Sequence, residues 1–66
     1  MKNVNFVINN AERMDYTFEN CTSLTGTIII NSNPSRYIDC FYAANISNLT
    51  ISGTSSVLNE IIATAN

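Results

Sequence analysis

The feature of this sequence that most constrains its fold is an apolar pattern that returns after about 22 residues. Side chains at offsets of 0, 3, 4 and 7 residues lie on one face of a helix. Three stretches carry this pattern, the third at its first three offsets only, and their first residues are separated by 23 and then 21 positions. The stretches are Met14-Thr17-Phe18-Cys21, Tyr37-Cys40-Phe41-Ala44 and Leu58-Ile61-Ile62.

Each of these stretches follows a short segment that is typical of a β-strand. β-Branched residues with alternating inward side chains favour strands, and such residues predominate at positions 6–8, 28–30 and 49–51. Counting back from the helical stretches places Ile28 and Ile30 level with Leu49 and Ile51. The predicted order is β-α-β-α-β-α, with helices over residues 14–21, 37–44 and 57–63.

Residues that connect the strands to the helices have the chemistry of helix starts. Asn33 followed by Pro34 predicts an N-cap and a first helical position, where the missing N–H of proline costs nothing. Asn9 and Glu12 have the spacing of a capping box, and Ser56 is placed to cap the last helix.

A single strand-plus-helix unit cannot bury its own apolar face, whereas stacked units bury one another. We therefore expect an α/β fold: a short solenoid of about three strand-plus-short-helix coils with a small parallel sheet. Residues 1–66 should form a single repeat-built domain, or the terminal fragment of a longer solenoid. The repeats are expected roughly over 4–24, 25–45 and 46–66.

Composition argues against several classes of function. The formal net charge is −2 and the three basic residues are scattered, so the basic stripe of a nucleic-acid binder is missing. The longest apolar run, Ile28 to Ile30, is far shorter than a membrane-spanning helix, so membrane insertion is not expected. The first residues lack the apolar core of a signal peptide, and a secretion signal would have to lie on a longer parent chain.

The sequence offers no recognisable catalytic, cofactor or metal site. It contains no His, and its cysteines, Cys21 and Cys40, are too few for a structural zinc site of about four ligands. Without His, a cysteine nucleophile lacks its usual base. We interpret both cysteines as small core residues, with a bridge between them as the alternative. No enzyme activity and no cofactor are expected.

The acidic residues also have an ordinary explanation. Asp15 and Glu19 lie four positions apart, which on a helix would put both carboxylates on one face, as in a glycosidase pair. That face is opposite the apolar stripe, and no cleft can be inferred there. We therefore predict that these carboxylates lie on a solvated surface.

Two motifs resemble a known family of repeats. Ile46-x-x-Leu49-x-Ile51 matches the L-x-x-L-x-L core of leucine-rich repeats. Met14-x-x-Thr17-Phe18-x-x-Cys21-x-x-Leu24 resembles the step I-x-x-x-A-F-x-x-C-x-x-L of the BspA-like bacterial surface leucine-rich repeats, and Tyr37-x-x-Cys40-Phe41 is similar. Thr17 departs from the small residue of that pattern. The resemblance implies a short leucine-rich-repeat-like solenoid made of terminal repeats.

By this resemblance, the chain is a non-catalytic module for protein–protein or cell-surface contact, an adhesin-type part outside a bacterial cell. Similar repeats occur on phage tails, so the alternative is a structural component of a larger assembly, such as a phage tail or surface array, or a self-associating small protein. Tyr16 and Tyr42 fall outside the apolar register and are the candidate contact residues. A protein partner or a homo-oligomer formed through open sheet ends or edges is expected.

Overall fold

The computed structural model describes residues 2–65 and consists of three parallel strands followed by one short helix. The strands are β1 (Lys2–Ile8), β2 (Leu24–Ile30) and β3 (Leu49–Ser52), and the helix is α1 (Leu58–Ile62). The strands form one open sheet in the order β1-β2-β3. The predicted small parallel sheet is confirmed, as is a helix in the last segment.

Residues that pair across neighbouring strands lie about one sequence repeat apart. Phe6 pairs with Ile28 across β1 and β2, and Ile28 pairs with Ile51 across β2 and β3, so the second offset is one position longer than the first. The prediction that Ile28 lies level with Leu49 is wrong, because Gly26 is the partner of Leu49. The prediction assumed that each helical stretch lies equally far from its strand. In fact α1 begins closer to β3 than residue 37 lies to β2, measured from paired residues.

The predicted helices over residues 14–21 and 37–44 are wrong. Both stretches are successions of turns, which we call the first turn segment (residues 14–21) and the second turn segment (residues 37–44). Alternate backbone N–H groups of the first turn segment donate to carbonyls of residues 36–42 instead of to their own helix. These bonds run from Met14 to Arg36, from Tyr16 to Ile38, from Phe18 to Cys40 and from Asn20 to Tyr42, at 2.7–2.9 Å.

The same backbone geometry returns one repeat later. Tyr16 and Asp39 have left-handed φ values of 58° and 50°, and Asn20 and Ala43 have values of 62° and 58°. Each left-handed residue is the third residue of a turn that an i-to-i−3 hydrogen bond closes, as from Thr17 to Met14 and from Cys40 to Tyr37. Asn, Asp, Thr and aromatic residues are weak helix formers, and Asn and Asp tolerate the left-handed region. Lateral bonding between equivalent stretches therefore prevails over helix formation.

The core lies between the sheet and the turn segments. Phe18 stacks on Phe41 with ring centroids 5.0 Å apart, and Phe6 approaches Phe18 at 5.9 Å. Of the residues predicted to point inward, Thr17 is exposed and Cys21 is half-buried. The buried apolar side chains are Met14, Phe18, Ile28, Ile30, Cys40, Phe41 and Ile61.

Two glycines permit close approach between neighbouring segments. Gly53 has a φ of +130°, and a Cβ at this position would overlap the carbonyl oxygen of Ile30. Gly26 lies within β2 with a φ of +114°, where a Cβ would overlap the carbonyl oxygen of Val4. Only glycine combines such dihedrals with such contacts at low cost.

The predicted caps serve a different purpose. Asn33 accepts hydrogen bonds from the N–H and the hydroxyl of Ser56 at 2.7 and 3.1 Å. Asn9 accepts a 2.9 Å bond from the side chain of Asn31. Because the second segment forms turns, its Asn33 has no helix to cap. Helix α1 begins after Val57 without a side-chain cap, so Ser56 does not cap it. These polar side chains instead join neighbouring segments.

Candidate contact surface

The two candidate contact residues are exposed but lie apart. Tyr16 is 52% exposed and Tyr42 is 46% exposed. Backbone bonds place Tyr16 beside Ile38 at one end of the turn segments and Tyr42 beside Asn20 at the other. Ring contacts within residues 2–65 involve phenylalanines only, so the two tyrosine rings do not form one aromatic platform.

A third exposed residue escaped the sequence analysis. Ile38 is 48% exposed, and its backbone carbonyl accepts the N–H of Tyr16, so the two residues are neighbours. Among the residues outside the apolar register, the sequence analysis considered only the tyrosines as contact residues, so it omitted Ile38. The signal that could have found it is the lateral spacing, since Ile38 follows Tyr16 by the same offset that pairs Phe6 with Ile28.

Asp15 is the centre of a charged cluster that links the two turn segments. Its carboxylate accepts the Ile38 N–H at 2.9 Å and a guanidinium bond from Arg13 at 2.8 Å, and Arg36 approaches at 3.5 Å. The Arg13 bond, followed by the Ile38 N–H, holds the pKa of Asp15 below its ordinary value, against a smaller opposing effect of desolvation.

Asp15 lies at the surface, as predicted, but only 12% of its side chain is exposed. The helix face that Asp15 and Glu19 were expected to share is absent, since the stretch forms turns. A carboxylate held by a backbone amide and arginines connects segments and is poorly suited to act as an acid or a base.

Both cysteines are unbridged. Cys40 is fully buried, whereas Cys21 is half-buried. Burial raises the pKa of the Cys40 thiol to about 11, in spite of opposing contacts with the backbone of Phe18 and Thr17. A thiol with this pKa is protonated at neutral pH and is not a nucleophile. The interpretation of Cys40 as a small core residue is confirmed.

A shallow depression of about 410 Å³ lies beside the charged cluster, where the second turn segment meets the end of the chain that follows α1. Ile38 and the half-exposed side chain of Arg36 contribute to its walls. The complete lining consists of Ser35, Arg36, Tyr37, Ile38 and Thr64.

The outer edge of β1 is uncovered. β1 pairs with β2 on one side only, so its other side presents backbone groups without a strand partner among the described residues. Phe6 and Val7 on this strand are 43% and 56% exposed. An edge of this kind can pair with another chain.

Within residues 2–65, no helix is long and apolar enough to cross a membrane. Comparison of the chain with protein-family models, with curated proteins and with solved structures found no match.

Proposed function

We propose that the chain is a non-catalytic repeat module for protein–protein or cell-surface contact, similar to the BspA-like leucine-rich repeats, and that it acts outside a bacterial cell. The observation that carries this proposal is the recurrence of backbone geometry at a constant spacing, from Tyr16 to Asp39 and from Asn20 to Ala43. Stacked coils of equal length are the organising feature of leucine-rich repeats.

The exposed side chains of the turn segments support the contact function. Tyr16, Ile38 and Tyr42 are each about half exposed on a framework held by lateral backbone bonds. Tyrosine provides a large contact area with few rotatable bonds, so it often contributes strongly to protein interfaces. The buried, protonated thiol of Cys40 favours a contact module over a catalyst.

Binding of the purified chain to immobilised extracellular-matrix proteins and to cultured epithelial cells tests this proposal. These surfaces should retain at least about tenfold less of the double variant Tyr16→Ser/Tyr42→Ser than of the wild type. Ser52→Ala, an exposed change on β3, is the control and should bind like the wild type. Absence of wild-type binding to any surface would contradict the adhesion function, and full binding by the double variant would contradict this contact surface.

The uncovered edge of β1 favours a second candidate function, that of a structural component of a larger assembly. Apart from Lys2 at its start, β1 carries no charge and no proline, which are the usual protections of an edge strand. Self-association through this edge would then be the function. Size-exclusion chromatography with light scattering should show a dimer or higher oligomer.

Val7→Lys tests this second function because it places a charge on the exposed edge strand and should give a monomer. Thr22→Lys adds the same charge at an exposed position outside the strands and should leave the oligomer intact. A wild-type monomer at all concentrations would exclude assembly as the function.

A further inference from the structure

The start of the second turn segment lacks the backbone partners that the start of the first turn segment has. The N–H groups of Met14 and Tyr16 donate to the carbonyls of Arg36 and Ile38. The equivalent donors one repeat later are Tyr37 and Asp39. No hydrogen bond from either N–H is present within the described part of the chain.

Helix α1 explains why these two donors have no partner. The carbonyls one repeat beyond Arg36 and Ile38 belong to Asn59 and Ile61. Within the last segment, the carbonyl of Asn59 accepts the N–H of Ala63, and that of Ile61 accepts the N–H of Thr64. Because helical bonding uses these acceptors locally, they do not reach the second turn segment.

The depression described above lies at this point and combines three kinds of group. Tyr37 contributes to its lining and has a backbone donor without an acceptor, Arg36 provides a guanidinium whose side chain is 54% exposed, and Ile38 provides an apolar wall. Arg36 contacts Asp15 only through its Nε, at 3.5 Å, and no ion pair to its Nη atoms is formed within residues 2–65. The site therefore combines a backbone donor with a positive charge, and its lining contains no carboxylate.

We propose that this depression binds a partner protein through a peptide segment in which a carboxylate side chain follows an apolar one. The carboxylate would pair with Arg36, a peptide carbonyl would accept the N–H of Tyr37, and the apolar side chain would cover Ile38. The chain itself contains a similar arrangement, since the carboxylate of Asp15 is held by arginines and a backbone N–H. The proposal rests on the proposed contact function and specifies the chemistry of the partner.

The test uses two capped dipeptides, acetyl-Leu-Asp-amide and acetyl-Leu-Asn-amide, titrated into the ¹⁵N-labelled protein at neutral pH. We expect the aspartate peptide to shift the amide resonance of Tyr37 in a saturable way, with a dissociation constant on the order of millimolar. The asparagine peptide should bind at least about tenfold more weakly, since it lacks the charge that Arg36 would pair with.

Arg36→Gln should weaken the aspartate peptide at least about tenfold. Arg13→Gln is the matched control because it is also an exposed arginine at Asp15, one repeat earlier, and it should leave the affinity unchanged. The dispersion of the amide spectrum shows whether each variant is folded.

The proposal is overturned if the Tyr37 resonance does not move, if both peptides bind equally, or if both arginine variants behave alike. It is also overturned if the Tyr37 resonance shifts with protein concentration alone, because a second copy would then occupy the depression. Failure here leaves the contact function intact if the wild-type chain still adheres through Tyr16 and Tyr42. Conversely, loss of adhesion with normal peptide binding would contradict the contact function and leave the peptide site intact.

Discussion

Single residues with left-handed backbone conformation determine the shape of the turn segments. Tyr16, Asn20, Asp39 and Ala43 all have φ values between 50° and 62°. Asn and Asp adopt this region at low cost, whereas a residue such as alanine, whose side chain has no polar group, is disfavoured there by roughly 1–2 kcal/mol. The left-handed conformation of Ala43 is therefore locally unfavourable, although the repeated turn requires it.

Replacing Ala43 with glycine should stabilise the protein by up to about 1 kcal/mol, since relief of the left-handed strain exceeds the entropy cost of glycine. Urea unfolding with an unchanged m-value measures this effect. The control is Ala63→Gly at a right-handed position with a φ of −66°, which should destabilise by up to about 1 kcal/mol. Equal losses in the two variants would contradict the left-handed conformation of Ala43.

The two cysteines should differ strongly in reactivity. Cys40 is fully buried with a pKa of about 11, so at pH 8 only about one thiol in a thousand is ionised. Cys21 is half-buried. We expect iodoacetamide to modify Cys21 at least about a hundredfold faster in the native protein, as followed by mass spectrometry.

Repeating the reaction with the variants Cys21→Ser and Cys40→Ser shows which thiol is modified. In denaturant, both cysteines should react at similar rates. Comparable native rates would show that the core around Cys40 opens readily.

At the level of secondary-structure elements, α1 ends the stack of lateral backbone bonds. The N–H of Phe18 donates to the carbonyl of Cys40, but the equivalent N–H of Phe41 donates to the hydroxyl of Thr64 at 2.9 Å. That hydroxyl in turn donates to the carbonyl of Ile61 at 2.6 Å. Thr64 thus replaces, with one side chain, the acceptor that a further turn segment would provide.

Thr64→Val should destabilise the protein by about 1–3 kcal/mol, because it leaves the N–H of the buried residue Phe41 without an acceptor at nearly constant side-chain volume. Hydrogen exchange at the Phe41 amide should accelerate in parallel. Thr50→Val, on the exposed face of β3, is the matched control and should change stability by less than about 0.5 kcal/mol. An effect of Thr64→Val as small as that of the control would show that water satisfies Phe41.

At the level of the whole molecule, side chains join segments that are distant in sequence. The side chain of Asn31 bonds to Asn9 in one neighbouring segment and accepts the N–H of Thr54 in the other, at 2.9 and 3.2 Å. Asp15 forms the corresponding charged link between the turn segments. These contacts join residues that lie nearly one repeat apart, so folding requires the segments to be in their final register.

The Asp15 link makes stability depend on pH. Its pKa is lower in the folded protein than its ordinary value of 3.8, so its contribution is present above that value and is lost as pH falls through the folded pKa. Asp15→Asn should therefore lower the urea midpoint at pH 6, and the difference from the wild type should shrink below about pH 4.

Glu12→Gln is the control, because Glu12 is an exposed acid without an ion pair in the described part of the chain. It should change the midpoint much less at either pH. A constant difference between Asp15→Asn and the wild type down to pH 2 would argue against the Asp15 link.

The sequence alone determined the presence of the three strands, the inward positions of Ile28 and Ile30, the repeat of about 22 residues and the equivalent core positions of Phe18 and Phe41. These features follow from side-chain identity and from spacing, which are local properties. The exposure of Tyr16 and Tyr42 followed in the same way, since both lie outside the apolar register.

Only the tertiary structure decided that residues 14–21 and 37–44 form turns and that α1 is the one helix among residues 2–65. Offsets of 0, 3, 4 and 7 also suit successive turns, so the pattern cannot distinguish the two. The choice depends on whether an N–H bonds within its own stretch or to a carbonyl in the next repeat. Ile38, Thr64 and the depression between them depend on that choice, because each is defined by its neighbours in the next segment.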